Sequence, residues 1–131
     1  MIGLDTNVLV RFLVRDDEDE FDRARRFIRR QAQIGEPVRI GLLVLLETEW
    51  VLRSRYKFGK DEILGAVSDL LNAMDLEFED EPAIEAALFA WKESPAQFAD
   101  CLIGARYGSM GCSATATFDA EAAKLPAFVA I

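Results

Sequence analysis

Apolar residues fall in short continuous runs that alternate with stretches of helical spacing, and the alternation predicts a chain of brief strands and helices. Met1 to Leu4 is an apolar run of strand length, expected to be buried. Val8, Leu9, Phe12 and Leu13 then recur at helical intervals, with Thr6 or Asn7 positioned to cap that helix. A second helix is predicted over Asp17 to Gly35, with acids in its first turns, Arg29 and Arg30 near its end, and Gly35 as the stop. "PVRIG" reads as a brief strand, Leu42 to Tyr56 as a third helix, and Lys60 to Met74 as a fourth with Ile63, Leu64, Val67, Leu70 and Leu71 on one side.

"LEF" at residues 76–78 is short enough for a strand, and Pro82 suits the first turn of a fifth helix reaching Trp91. In "SPAQF", Ser94 would cap a sixth helix that begins at Pro95 and runs to about Tyr107. "CSATAT" predicts a strand, "FDAEAAKL" a short helix and "FVAI" a last strand. Strands that alternate with helices in this way predict an α/β fold whose parallel sheet is covered by helices on both faces, in a single domain over 1–131.

Composition narrows the chemistry. At 131 residues and 51% hydrophobic content the chain can bury a core. No apolar stretch approaches the roughly 20 residues of a membrane span, and Asp5 comes too early for a secretory leader, so a cytoplasmic protein is expected. Cys101 and Cys112 are too few for a disulfide framework and wrongly spaced for a zinc ribbon, and are expected as buried thiols. Histidine is absent, which removes imidazole bases, Ser-His and Cys-His pairs and histidine zinc sites together. Any catalysis falls to carboxylates.

The net charge of −8 argues against a protein that grips nucleic acid by bulk attraction. Residues 61–100 hold eleven acids against the one base Lys92, whereas residues 1–35 hold seven arginines. Five of those lie in "RARRFIRR", Arg23 to Arg30, which is either a stripe for nucleic-acid phosphates or an acidic partner protein, or a solvated face that complements the helix dipole. The solvated face is favoured.

Four acids stand where the pattern calls for something else. Ligand sites in parallel sheets form outside the carboxyl ends of strands, and Asp5 and Asp119 both follow predicted strands there. Glu47 is flanked at helical spacing by Leu43, Val44, Trp50 and Val51, which predicts an inward face; Glu49, among Leu45, Leu46, Leu52 and Arg53, is a near rival. Asp100 lies among Ala96, Ile103 and Gly104. Each has a plainer reading, Asp5 and Asp119 as helix caps and Glu47 as a partner of Arg53 or Arg55. If the four converge, two like charges about 4 Å apart cost about 4 kcal/mol at an effective dielectric near 20. Protons or a hard divalent cation would have to relieve that repulsion; Mg2+ or Mn2+ suits oxygen ligands and supports phosphodiester hydrolysis.

These segments also carry a resemblance. "MIGLDTNVLVRFL", "LLETEWVL", "FADCLIGA" and "GCSATATFD" resemble, in order and spacing, the four acidic motifs of the PIN-domain nucleases, and are most similar to the VapC-like ribonuclease toxins of toxin-antitoxin pairs. The likeness runs from residue 1 to about residue 128. It implies a three-layer α/β/α fold with a short, mainly parallel sheet, dependence on Mg2+ or Mn2+, an RNA substrate, a homodimer and a cognate antitoxin protein. By that resemblance Asp5, Asp100 and Asp119 are metal ligands, Glu47 rather than Glu49 completes the catalytic four, and Asn7 and Thr117 orient the acids. One departure stands out. Many relatives carry Arg or Lys after the last motif, where this chain has Ala120 and Glu121, with Lys124 the first base.

Two other readings of the same residues remain. A phosphatase could use Asp5 as a nucleophile, although Asn7 stands where a second aspartate belongs and no late lysine partner is evident. A non-catalytic module that binds RNA or protein could retain the fold without the activity.

Overall fold

The computed structural model describes all residues from Met1 to Ile131. Its residues group into two compact units, Met1–Glu79 and Asp80–Ile131. Both are of α/β type and both contain only parallel strand pairs, in keeping with the expected fold class.

The first unit contains α1 (Thr6–Leu13), α2 (Glu18–Gln33), β1 (Val38–Ile40), α3 (Leu42–Ser54), α4 (Lys60–Leu71) and β2 (Leu76–Phe78). β1 and β2 pair in parallel, with Val38 opposite Leu76 and Ile40 opposite Phe78, and Arg39 meets Glu77 across the pair at 3.2 Å. Leu9, Val38, Ile40, Leu45, Leu52, Ile63 and Val67 are almost wholly removed from water and form the core.

The N-terminal run departs from expectation. Met1 and Ile2 are exposed, and only Leu4 is buried. The segment forms no full strand; Gly3 makes an isolated parallel bridge to Arg39, held by the Leu4 and Arg39 amides. A run of apolar letters fixes local extension but cannot say how many ladder bonds a neighbour will supply. Asp5, not Thr6 or Asn7, caps α1, accepting from the Thr6 amide at 2.7 Å.

α2 follows its pattern closely. Asp17 caps it through the Glu20 amide, and Gly35 ends it with φ +79°, a left-handed conformation that costs glycine nothing. Ala24, Ile28 and Gln31 face inward while Arg23, Arg25, Arg26, Arg29 and Arg30 are exposed. α3 begins after Gly41, which has no side chain to cap it. The Glu79 carboxylate beyond β2 accepts from the Leu42 amide at 3.0 Å instead.

The second unit contains α5 (Glu81–Lys92), α6 (Phe98–Ser109), β3 (Thr115–Thr117), a single 3-10 turn over Ala122–Lys124, and β4 (Phe128–Ala130) paired in parallel with β3. The helix expected from "FDAEAAKL" is only that turn. α5 and α6 pack against one another through Ile84, Leu88, Trp91, Phe98 and Leu102, and the Trp91 and Phe98 rings sit 5.2 Å apart.

α6 starts at Phe98 rather than Pro95. The Ser94 hydroxyl accepts from the Ala96 amide at 3.3 Å, closing a local turn in place of a helix cap. Asp80 holds the start of α5 to the end of α6. It has φ +52°, caps α5 through the Ala83 amide, and its other oxygen receives Arg106 at 2.7 Å and the Ser109 hydroxyl. The Ser109 bond foremost, with Arg106 behind it, holds the Asp80 carboxyl below the usual carboxylate range.

Gly104 lets α6 approach β4, since a Cβ there would lie 2.6 Å from the Phe128 ring. Cys101 is buried as expected, but Cys112 is exposed beyond the end of α6. No helix is long and apolar enough to cross a membrane.

Candidate functional site

In the first unit, the bridge at Gly3 delivers the chain to Asp5, and the turn into α1 leaves the carboxylate exposed at the helix N-terminus, where the dipole favours a negative charge. One Asp5 oxygen takes the Thr6 amide; no cation is within ion-pair distance. Glu47 comes from the middle of α3. Asp5, Asn7 and Glu47 line one cavity of about 360 Å³ together with Arg11, Trp50, Arg55 and Tyr56.

The face of α3 that carries Glu47 is the opposite of what its apolar neighbours suggest. Leu42, Leu45, Thr48, Glu49 and Leu52 point into the core, whereas Leu43, Glu47 and Trp50 are exposed. Both faces of this helix are apolar, so spacing alone could not choose between them. Burial reverses the roles of the rival glutamates. Glu49 is 4% exposed and bonded to Arg53 at 2.8 Å, one turn on, which accounts for its presence in the core. Glu47 has no hydrogen-bond or ion-pair partner and opens into the cavity.

In the second unit, Asp100 sits in the first turn of α6, half-buried, and Asp119 lies two residues past β3. Burial pushes the Asp100 carboxyl up, and the negative charge of Asp119 pushes it further the same way. The Thr117 hydroxyl accepts from the Asp119 amide at 2.9 Å, and one Asp119 oxygen takes the amides of Glu121 and Ala122. Thr117 therefore fixes the backbone from which Asp119 projects. Asn7 lines the first-unit cavity but makes no bond to Asp5.

Asp5 and Glu47 are thus brought to one cavity and Asp100 and Asp119 to within electrostatic reach of each other, each pair inside its own unit. Neither unit gathers three or more ligating side chains into one group. The donors suit a hard divalent cation: they are carboxylate oxygens, none is engaged in a salt bridge, and in the second unit they repel one another with no positive side chain between them. Mg2+ in particular is held by one or two carboxylates with retained waters.

Arg11 and Tyr56, which the motifs do not mark, share the cavity with the acids, as does Arg55, the candidate partner of Glu47, though the two form no ion pair. The available signal was helical spacing, since Arg11 lies one turn from Asn7 and Arg55 two turns from Glu47. Lys124, the first base after the last motif, pairs with Glu121 at 3.2 Å.

Short parallel strands alternating with helices, with unpaired carboxylates just beyond the strands and on helix faces, define an α/β protein with an acidic site. The PIN domain family model matches residues 2–127, and the chain belongs to that family. It is similar to a VapC ribonuclease of Aquifex aeolicus (strain VF5), 28% identical over 122 residues that cover 93% of this chain and 90% of that protein. Among solved structures it is similar to the crystal structure of Mycobacterium tuberculosis VapC20, a Sarcin-Ricin loop cleaving toxin. That match has 20% identity and a TM-score of 0.37, and covers 94% of this chain and 93% of the other.

Proposed function

We propose that this chain is a divalent-metal-dependent endoribonuclease, the toxin of a toxin-antitoxin pair, acting as one domain over its whole length. The observation that carries the reading is the state of the four motif acids. Asp5, Glu47, Asp100 and Asp119 are all without a salt bridge, whereas the rival Glu49 is tied to Arg53. Asp100 bears a cost for this, half-buried with the Asp119 charge against it, as a carboxylate kept for a cation does. The likeness to a VapC ribonuclease over nearly the full length of both chains supports RNA as the substrate, and a family match that spans both units supports a single domain.

In this reading Asp5 in the first unit and Asp100 and Asp119 in the second are the metal-binding acids, for Mg2+ or Mn2+. The bound ion supplies Lewis acidity toward the phosphoryl group and lowers the pKa of water. Glu47, exposed and unpaired, orients or deprotonates the attacking water. Thr117 holds the Asp119 backbone, and Asn7 lies beside Asp5 to position the acid or the substrate. A homodimer in the cytoplasm, silenced by a cognate antitoxin, completes the proposal.

The test is cleavage of RNA with and without Mn2+, run beside Asp5→Asn. Metal-dependent cleavage by the parent, lost in the variant by a factor of about 100 or more, is expected. Cleavage that persists in chelator, or RNA binding with no cleavage at any metal concentration, would overturn it.

A further inference from the structure

The cavity of Asp5 and Glu47 holds two groups for which a cation has no use. Trp50 is 53% exposed, and the guanidinium of Arg55 lies at the C-terminal cap of α3. Both follow Glu47 on the same helix, and at 1.5 Å of rise per residue they lie roughly 4.5 and 12 Å along its axis from it. Trp50 is one turn away and Arg55 about two.

Charge separates the two arginines of the cavity. Arg11 is already matched, with Asp16 at 2.9 Å, Glu20 at 3.2 Å and the Tyr56 hydroxyl at 3.1 Å. Arg55 has no ion-pair or hydrogen-bond partner and is exposed. It is the cation of the cavity that remains available to an anion. Nothing local asks for an indole at position 50 either, since an exposed helix position is served better by Ala, Leu or Lys.

A molecule of charge −8 cannot draw RNA in by its overall field, and Arg23 of α2, which lines a neighbouring cavity of Asp5 and Asn7, already has Asp19 at 3.7 Å. Affinity must then come from a few groups beside the reacting centre. An aromatic face and a free guanidinium are the two elements from which sites for single-stranded nucleic acid are built. In a duplex the faces of the bases are covered by their neighbours, so an indole selects an unpaired one.

We propose that Trp50 and Arg55 bind a single-stranded segment of RNA next to the carboxylates, the indole stacking on one base and the guanidinium holding a phosphate farther along the strand. This rests on the ribonuclease reading and adds to it the residues that choose unpaired RNA.

Binding is measured by anisotropy of a short labelled oligoribonucleotide of mixed sequence in Mg2+, in an Asp5→Asn background that does not cleave, and cleavage is measured in the parent. Trp50→Ala is expected to weaken single-strand binding about tenfold, to leave duplex binding unchanged, and to be largely rescued by Trp50→Phe. Arg55→Gln is expected to reduce the slope of log affinity against log salt by about 0.7, the contribution of one single-strand phosphate contact. If both variants bind and cleave as their parents do while Asp5→Asn abolishes cleavage, this assignment fails and the ribonuclease reading stands. If Trp50→Ala leaves RNA binding intact but changes the sedimentation of the protein, the indole belongs to a protein interface and the assignment fails. If the parent neither binds nor cleaves RNA, the ribonuclease reading fails and takes this one with it.

Discussion

Glu47 and Glu49 stand two residues apart on α3 and meet opposite environments. A helix turns 100° per residue, so a shift of two positions carries a side chain from the core to the cavity. Glu49 is buried and closed off by Arg53; Glu47 is exposed and open. Their substitutions should therefore separate stability from activity. Glu49→Gln is expected to lose about 1 kcal/mol, read as a fall in Tm of about 3–5 °C, with cleavage retained. Glu47→Gln should leave Tm unchanged and lower kcat by about 100-fold. Equal loss of activity in the two would mean that the choice between them is mistaken. Helical spacing narrowed the choice to these two and went no further, because Leu43, Leu45, Leu46 and Val51 surround both glutamates with apolar neighbours; the likeness of "LLETEWVL" to the family motif pointed to Glu47. The position of Asp119 was more legible, since a residue just beyond a strand end has few places to go.

At the scale of elements, the helices follow their periodicity and the errors lie at their ends. α2 begins and ends within two residues of its pattern, whereas α4 stops three residues short and the start of α6 is displaced by three, where Ser94 forms a local turn with Ala96. End positions depend on which partner reaches a free amide first, and for α3 that partner is Glu79, 37 residues away in sequence. Asp80 is the strongest case. Its bonds to Ser109 and Arg106 tie the start of one helix to the end of another. A folded-state pKa below the unfolded value near 3.9 means that this carboxylate stabilises the protein above about pH 4, and that the contribution disappears as pH falls through the lower, folded value. Asp80→Asn keeps a residue that tolerates positive φ. It should cost about 1–2 kcal/mol at neutral pH, and the gap from the parent in urea unfolding should close below pH 4. Gly104→Ala should cost about 1 kcal/mol or more, because its methyl meets the Phe128 ring.

For the whole molecule, the expected outcome is a single unfolding transition. The unit over Asp80–Ile131 is only about 50 residues long, a length at which one small core rarely suffices alone. Circular dichroism and tryptophan fluorescence should therefore report coincident curves, and two separated transitions would refute one domain. Mn2+ at about a hundred times its Kd should add about 2.7 kcal/mol to the parent and much less to Asp100→Asn. The sequence by itself determined the α/β alternation, the parallel strands, the absence of imidazole chemistry and the family likeness, because periodicity, turn residues, motif order and the lack of histidine are properties of the chain as written. Tertiary structure alone decided which glutamate is free, that Met1 and Ile2 lie outside the core, that Arg11 is spent while Arg55 is not, and that Asp80 joins two helices. Each of those outcomes depends on which distant group arrives to meet a charge or cover a side chain, and local sequence carries no record of that arrival.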